Sequence, residues 1–513
     1  MKSLPATAWA ALAVLLFSLA LWLRAPALVD TLLNSDEGFY AVVASQWSRG
    51  QQPYRDLFDH KPPLVYLAYR VAFAGFGESL AAPRLLWTLA VALAGLGVAA
   101  VVRSLCGGWL APVVAAGTAV VFLGSPLVEG QTANAETLMV LATTWAAFFS
   151  AASSRPGGLS PLRVAAAGVY SGLALLAKPV AVFEVAFLFV WMVRFSPRRG
   201  FNLVTFALAA VVPALIWCAY AAAHGDLRDS FDAVVMYNLH YASASPAPVL
   251  ARVVLLVVDY GPPLALLWAG VAACLLSSLR TERRAPDFAL GWTAAALIGA
   301  LSGGRLYEHY FQQLVTPMAV GLGVTTAALA SRLVRRASRA AAVAVLALGL
   351  WPPLAARVRL LSNPVGCTPW QDRLAELIRD RTDDDDRLLV WGYEPYIHFA
   401  SRRMPPERYF CKYPFLGDSA GAQTARARLR AATTAHPPAV VVVLKGELTA
   451  EPTAGPEQEI LAADAPFHWL IDGAPVLDTP EFLLYTSPER REGAWRQNWL
   501  DLFRRECQIE RTS

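Results

Sequence analysis

A chain of 513 residues that is 56% hydrophobic and only 16% charged is too apolar for an ordinary soluble protein of its size, and reads as a polytopic membrane protein. Its formal net charge of +5 is not gathered into a basic patch with interleaved aromatics, which argues against a nucleic-acid partner. Six cysteines without a CxxC or a paired-His spacing argue against a metal framework.

The first predicted element is the uncharged stretch from Pro5 to Leu23. It is long enough to cross a hydrocarbon core of roughly 30 Å at about 1.5 Å per residue. Its apolar part exceeds the roughly 7 to 15 residues of a signal-peptide core. It is therefore read as a retained helix, although Ala25-Pro26-Ala27 imitates a cleavage site. A long connection follows, from Arg24 to Glu78. Within it Glu37 to Trp47 predicts a short amphipathic helix with Phe39, Val42, Val43 and Trp47 on one side, and Pro63 to Phe76 a second apolar helix. Both suit helices lying in the membrane interface. The stretch between them, Arg49 to Pro62, is rich in Gly, Pro and charge and reads as irregular backbone.

Further spans are predicted at 79–102, 109–128, 135–152, 162–179, 180–193, 203–223, 251–279, 288–303, 311–330 and 340–356. That makes about eleven membrane helices in all. Short loops rich in arginine stay cytoplasmic, and every second connection carries them: Arg103; Arg155 and Arg163; Arg194, Arg198 and Arg199; Arg280, Arg283 and Arg284; Arg332, Arg335, Arg336 and Arg339. The opposite loops hold acids such as Asp36, Glu37, Asp56, Asp59, Glu129, Glu136 and Glu308. The expected topology puts the N-terminus in the cytoplasm and everything after Arg357 outside.

After Pro352-Pro353 charge density rises and a different kind of domain begins. Arg387 to Trp391, Ala439 to Leu444 and Glu481 to Thr486 predict buried strands, alternating with helices near Trp370 to Arg379 and Ser419 to Ala432. The division expected is a transmembrane domain at 1–356, with a catalytic first external loop at 24–78, and a small extracytoplasmic α/β domain at 357–513. The run Asp383 to Asp386 lacks the glycine and glutamate of an EF-hand and is read as capping a turn. Cys367 and Cys411 lie in the exported segment, where an oxidising compartment permits a disulfide.

The candidate chemistry lies in the first external connection, which reads Asp36-Glu37-Gly38-Phe39-Tyr40 and then His60-Lys61-Pro62-Pro63. Transfer of a sugar from a lipid phosphate needs a base for the acceptor hydroxyl and a cation for the leaving phosphate. A carboxylate within hydrogen-bond reach serves as the first, and Asp36 is the candidate. Glu37 points about 100° away on a helix, so the two do not act as one pair. The competing reading makes Asp36 an N-terminal cap, a role that Asn34 and Ser35 also suit. Lys61 is one of five lysines, and Pro62-Pro63 stiffens the start of the next helix. Its ammonium suits a phosphate or, alternatively, snorkels to lipid headgroups. On the same side lie Asn134-Ala135-Glu136, Lys178-Pro179 and Arg305-Leu306-Tyr307-Glu308-His309-Tyr310. A carboxylate at the edge of a membrane helix suggests a role in a wet cavity. Arg305 reads equally as an interface anchor, and Tyr310 as part of an aromatic belt.

Asp36-Glu37, Tyr40, Lys61-Pro62-Pro63, Leu176-Ala177-Lys178-Pro179 and the segment from Arg305 to Tyr310 resemble the bacterial protein O-mannosyltransferase-like glycosyltransferases of the GT-C superfamily. The aminoarabinose transferases that modify lipid A are similar. The likeness covers most of the membrane domain. It implies an inner-membrane enzyme that takes a sugar from a polyprenyl-phosphate donor and transfers it with inversion to a hydroxyl acceptor on protein, lipid or glycan. It further implies that Asp36 is the general base, that Lys61 contacts the donor phosphate and that Glu136 is a second acid. Glu37 accompanies them, with Tyr40, His60, Lys178, Arg305, His309 and Tyr310 as substrate-binding residues. No cofactor is required; Asp36 and Glu136 also have the chemistry to share a divalent cation. Membrane lipid is an expected partner, and nucleic acid is not. The rival readings are a transporter or flippase of lipid-linked sugars, and a scaffold whose working part is the exported domain.

Overall fold

A computed structural model describes residues 5–29, 33–151, 160–195, 198–239, 261–279, 284–302, 307–330, 336–362, 370–415, 420–445 and 475–487, with Val254, Val258 and Asp259. The chain divides into two compact units, Met1–Asp30 with His60–Pro364, and Thr31–Asp59 with Val365–Ser513. In chain order the first helices are α1 (Ala6–Arg24), α2 (Ser35–Ser48), α3 (Leu64–Phe76), α4 (Ala81–Cys106), α5 (Leu110–Leu123) and α6 (Ala135–Ala151). They continue with α7 (Pro161–Ala177), α8 (Val182–Phe195), α9 (Arg199–His224), α10 (Leu227–Phe231) and α11 (Ala265–Ser278). The remainder are α12 (Arg284–Ser302), α13 (Gln312–Ala330), α14 (Arg336–Ser362), α15 (Trp370–Arg381), α16 (Tyr396–Ser401) and α17 (Ala420–Ala435).

The first unit is helical. Among the described residues four segments are long and apolar enough to cross a membrane, namely Ala6–Leu28, Ala81–Cys106, Arg199–His224 and Glu308–Ala330. Shorter apolar helices accompany them, in the manner of a polytopic membrane protein. The buried stripes of α4, α5, α6, α12 and α13 interlock in one apolar cluster around Val98, Ala119, Val140, Trp292 and Val315. In α7, Gly168 and Gly172 lie one turn apart against α9. A Cβ at Gly172 would sit 2.2 Å from the carbonyl oxygen of Ala210, so only glycine permits the approach. Gly172→Leu is therefore expected to separate α7 from α9 and to lower the melting temperature in detergent. Unchanged melting would contradict this account of the crossing.

Helix ends follow local chemistry. The segment predicted at 109–128 stops early: α5 ends before Gly124, and Pro126 opens a separate 3-10 turn, Pro126–Val128. Two buried arginines then tie the start of α4 to the segments that follow α1 and precede α6. Arg84 donates to the Ala27 carbonyl at 2.7 Å, and Arg24 donates to Thr88 Oγ1 at 3.1 Å and to the Thr132 carbonyl at 3.3 Å.

The second unit carries a mixed sheet of four strands, β1 (Leu388–Trp391), β2 (Val440–Leu444), β3 (Leu477–Asp478) and β4 (Phe482–Thr486), in the order β1-β2-β4-β3. The pair β1-β2 is parallel, and β2-β4 and β4-β3 are antiparallel. Alternation sends Val440 and Val442 to one face with Leu374, Ile378 and Ile397, and Val441 and Val443 to the other with Ala425 and Leu429. α15 and α16 thus pack one face of the sheet and α17 the other. Asp383 and Asp386 close a turn: the Asp383 N–H donates to Asp386 Oδ2 at 2.7 Å.

α2 departs from the interfacial helix that its apolar stripe suggests. It belongs to the second unit and is buried on nearly every side, including Glu37 and Ser45. Phe39 packs on Tyr393 and Phe410, at ring distances of 5.1 and 6.0 Å. The Phe58 N–H donates to the Arg408 carbonyl at 2.9 Å, and Phe58 meets the Tyr409 ring at 5.0 Å.

Inside this unit His398 is buried, its Nδ1 bonded to the Arg403 carbonyl at 2.9 Å, and burial pushes its imidazole down to about 4. The unfolded chain then binds more protons between pH 4 and the ordinary value of 6.5. Neutral His398 contributes about 3 kcal/mol above that window, and the contribution is lost as pH falls through it. Protection factors at the β1 and β2 amides, corrected for the intrinsic exchange rate at each pH, are expected to fall below pH 6.5, and His398→Gln to flatten this response. Equal acid sensitivity in the variant would refute it.

Candidate active site

Within the second unit, Asp36 opens α2. Asn34 is the cap, its Oδ1 accepting the Asp36 N–H at 2.8 Å. The Asp36 carboxylate is held by two phenols instead: Tyr40, one turn along, donates to Oδ2 at 3.3 Å, and Tyr393 donates to Oδ1 at 3.0 Å. Burial, and next the Asp36 carboxylate, raises Tyr393 well above the ordinary tyrosine range, so its hydroxyl remains a donor at neutral pH. Glu37 is fully buried beside it, whereas Asp36 is partly exposed.

Within the first unit a second cluster forms. The Glu136 carboxylate, at the start of α6, pairs with the Lys178 ammonium; both side chains are nearly inaccessible, at 3% and 11% exposure. Lys178 is aimed by its neighbour: a residue before proline is driven to extended backbone, so α7 ends there and the side chain leaves the helix axis. The Lys178 Nζ lies 3.6 Å from the centre of the Tyr310 ring, a cation–π contact. His309 bridges two acids, with Nδ1 2.9 Å from Glu129 Oε2 and Nε2 3.6 Å from Glu136 Oε1. Glu136 also feels the charge of Lys61.

Glu129 was not singled out by its sequence setting, although it stands seven residues before Glu136. Its backbone is left-handed, φ +48°, a conformation that costs a non-glycine residue about 1–2 kcal/mol. The loop imposes it. Gly130 lies so close to Leu123 that a Cβ would fall 2.1 Å from that carbonyl oxygen. Trp87 Nε1 and the Tyr69 hydroxyl hold the Asn134 and Ala133 carbonyls at 2.7 and 3.1 Å. Gln312 Nε2 donates to the Val128 carbonyl at 3.0 Å, and Gln312 Oε1 accepts from Thr137 at 2.8 Å.

His60 and Lys61 also belong to the first unit. The His60 carbonyl accepts from Asn238 at 2.7 Å, and its ring faces Tyr237 at 5.3 Å, at the end of a π-helical turn, Asp232–Tyr237. Lys61 is half-buried just before Pro62-Pro63 and α3. Arg305 and Cys367 lie outside the described residues. Among the described residues no group of three or more His, Cys, Asp or Glu side chains is placed to hold a metal ion.

The arrangement offers an oriented carboxylate in one unit and a buried cation–carboxylate–imidazole chain in the other. The fold itself is one shared with membrane glycosyltransferases of the GT-C class. ArnT from Cupriavidus metallidurans, solved bound to undecaprenyl phosphate, aligns over 95% of this chain and 99% of its own, with a TM-score of 0.64 and 16% identity. The Archaeoglobus fulgidus oligosaccharyltransferase, solved in complex with Zn and sulfate, aligns over 84% of this chain and 67% of its own, at TM-score 0.54 and 14% identity. Arabinofuranosyltransferase AftD from Mycobacteria aligns over 97% of this chain and 40% of its own, at TM-score 0.54 and 15% identity. No protein-family model and no curated protein sequence matches the chain.

Proposed function

We propose that this protein is an inverting glycosyltransferase that moves a sugar from a polyprenyl-phosphate donor to a hydroxyl acceptor on the outer face of the cytoplasmic membrane. The observation that carries the reading is that Asp36 does not cap its helix: Asn34 does, and two phenols orient the Asp36 carboxylate. Such a carboxylate takes the proton of the acceptor hydroxyl as the new bond to the anomeric carbon forms and the bond to phosphate breaks. A single displacement inverts the anomeric centre. The phosphate departs as an anion and needs no acid, only a countercharge.

Lys61, half-buried just before Pro62-Pro63 and α3, is one candidate for that countercharge, and Lys178, paired with Glu136 and lying on Tyr310, is another. Arg305 stays a candidate from sequence. Glu136 and Tyr310 hold Lys178, and His309 links Glu136 to Glu129. The fold likeness to a protein solved with undecaprenyl phosphate supports the donor class. The alternation of arginine-rich and acidic loops supports a cytoplasmic N-terminus and an external segment after Arg357.

The test is a panel of undecaprenyl-phosphate-linked sugars, offered to the purified protein in proteoliposomes with isolated cell envelopes as acceptor and read by mass spectrometry. Release of undecaprenyl phosphate with sugar on the acceptor supports the reading. Movement of the lipid-linked sugar across the bilayer without product would assign a flippase instead. Lys61→Ala is expected to raise the Kd for undecaprenyl phosphate about tenfold to a hundredfold, the worth of a charge-assisted hydrogen bond. An unchanged Kd removes Lys61 from the phosphate site.

A further inference from the structure

We infer that Tyr393 is a positioning residue for the Asp36 carboxylate, which makes the segment after β1 part of the catalytic apparatus. The inference rests on the assignment of Asp36 as the base.

Three independent contacts fix the pair. Tyr393 stands in the short link Gly392–Pro395 that leaves the carboxyl end of β1, where α/β sheets commonly present functional side chains. Its ring is gripped between Phe39 of α2 at 5.1 Å and Tyr413 at 5.0 Å, and its hydroxyl donates to Asp36 Oδ1 at 3.0 Å. The backbones of α2 and α16 also approach more closely than a side chain allows. A Cβ at Gly38 would fall 2.7 Å from the Tyr396 nitrogen, so this small residue, two places after Asp36, sets the distance to the Tyr393 loop.

The physical need is specific. The terminal torsion of an aspartate is broad, so its carboxylate plane is poorly defined unless both oxygens are held. Tyr40 holds Oδ2 from within α2 and Tyr393 holds Oδ1 from 357 residues away in sequence. Together they fix the plane in which a base must meet the acceptor hydroxyl. Deleting the Tyr393 hydroxyl leaves the ring packing intact and loosens that plane, which lowers turnover without altering donor capture. Asp59 and Cys411 also act on Tyr393 electrostatically, so the phenol sits in an anionic setting that favours its protonated, donating form.

The experiment uses the full chain in proteoliposomes, with cell envelopes and the member of the undecaprenyl-phosphate-sugar panel that the parental protein turns over fastest. Tyr393→Phe is expected to lower kcat about tenfold to a hundredfold with donor KM within about twofold of the parental value. The double variant Asp36→Asn with Tyr393→Phe should be no slower than Asp36→Asn alone, since a positioning group adds nothing once the base is gone. A merely structural tyrosine would slow both backgrounds alike. As a check independent of turnover, the 19F resonance of 3-fluorotyrosine at position 393 should move when Asp36→Asn is introduced. Parental kcat in Tyr393→Phe beside a crippled Asp36→Asn would overturn the positioning role and leave the base assignment standing. Parental kcat in Asp36→Asn would overturn both, as the base assignment itself would then have failed.

Discussion

Asp36→Asn, in protein that folds and binds undecaprenyl phosphate as the parent does, is expected to lower turnover by about 10²–10⁴-fold, the range a positioned general base contributes. The substitution is close to isosteric. Asn34 still caps α2, because the bond runs to the backbone N–H of residue 36. The side-chain amide keeps one oxygen for a phenol but can no longer accept a proton. A loss confined to kcat therefore isolates the chemical role from folding. Glu37→Gln serves as the control: Glu37 is fully buried and stands about 100° around α2 from Asp36, so its variant should leave kcat near parental provided the protein folds.

The largest stability effect is expected at Glu136. Glu136→Ala leaves the Lys178 ammonium buried without its counter-ion, and breaking a buried pair from one side costs about 3–5 kcal/mol. His309 loses one of its two carboxylates at the same time, keeping Glu129 at 2.9 Å. Melting in detergent should fall clearly in Glu136→Ala and recover most of the way in the double variant Glu136→Gln with Lys178→Met, where no unpaired charge remains. The double variant should stay defective in turnover if Lys178 helps to hold phosphate. A single variant as stable as the parent would mean that water reaches Lys178 and that the cluster is not the closed network seen here.

Much of this was legible in the residues, for physical reasons that differ from element to element. Helices occupy the apolar stretches because uninterrupted runs such as Leu85 to Val102 have one solution in lipid. The strands at 388–391, 440–444 and 482–486 could be read because short apolar runs bounded by turns suit a buried sheet, whereas the two-residue β3 carries no such signal. Asn134-Ala135-Glu136, Lys178-Pro179 and His309-Tyr310 were marked out as unusual polar groups at helix ends, and the fold brings Glu136, Lys178, His309 and Tyr310 together.

What stayed hidden were tertiary partners. The apolar stripe of α2 announces that something covers it, but a periodicity of 3.6 cannot tell lipid from protein, and the covering side chains include Tyr393 and Phe410 from far along the chain. Gly38 was the available clue, since a glycine inside a helix suggests a close neighbour. Glu129 was equally obscure, because its place beside His309 depends on a left-handed backbone in a loop that Gly130 packs tightly against Leu123.

The most direct test follows the anomeric carbon. Purified protein is given an undecaprenyl-phosphate-linked sugar of known configuration together with cell envelopes, and the product linkage is assigned by NMR for the parent and for Asp36→Asn. The account predicts a glycosidic product of inverted configuration from the parent, with stoichiometric undecaprenyl phosphate, and essentially none from Asp36→Asn. A product of retained configuration, or equal product from both proteins, would contradict it.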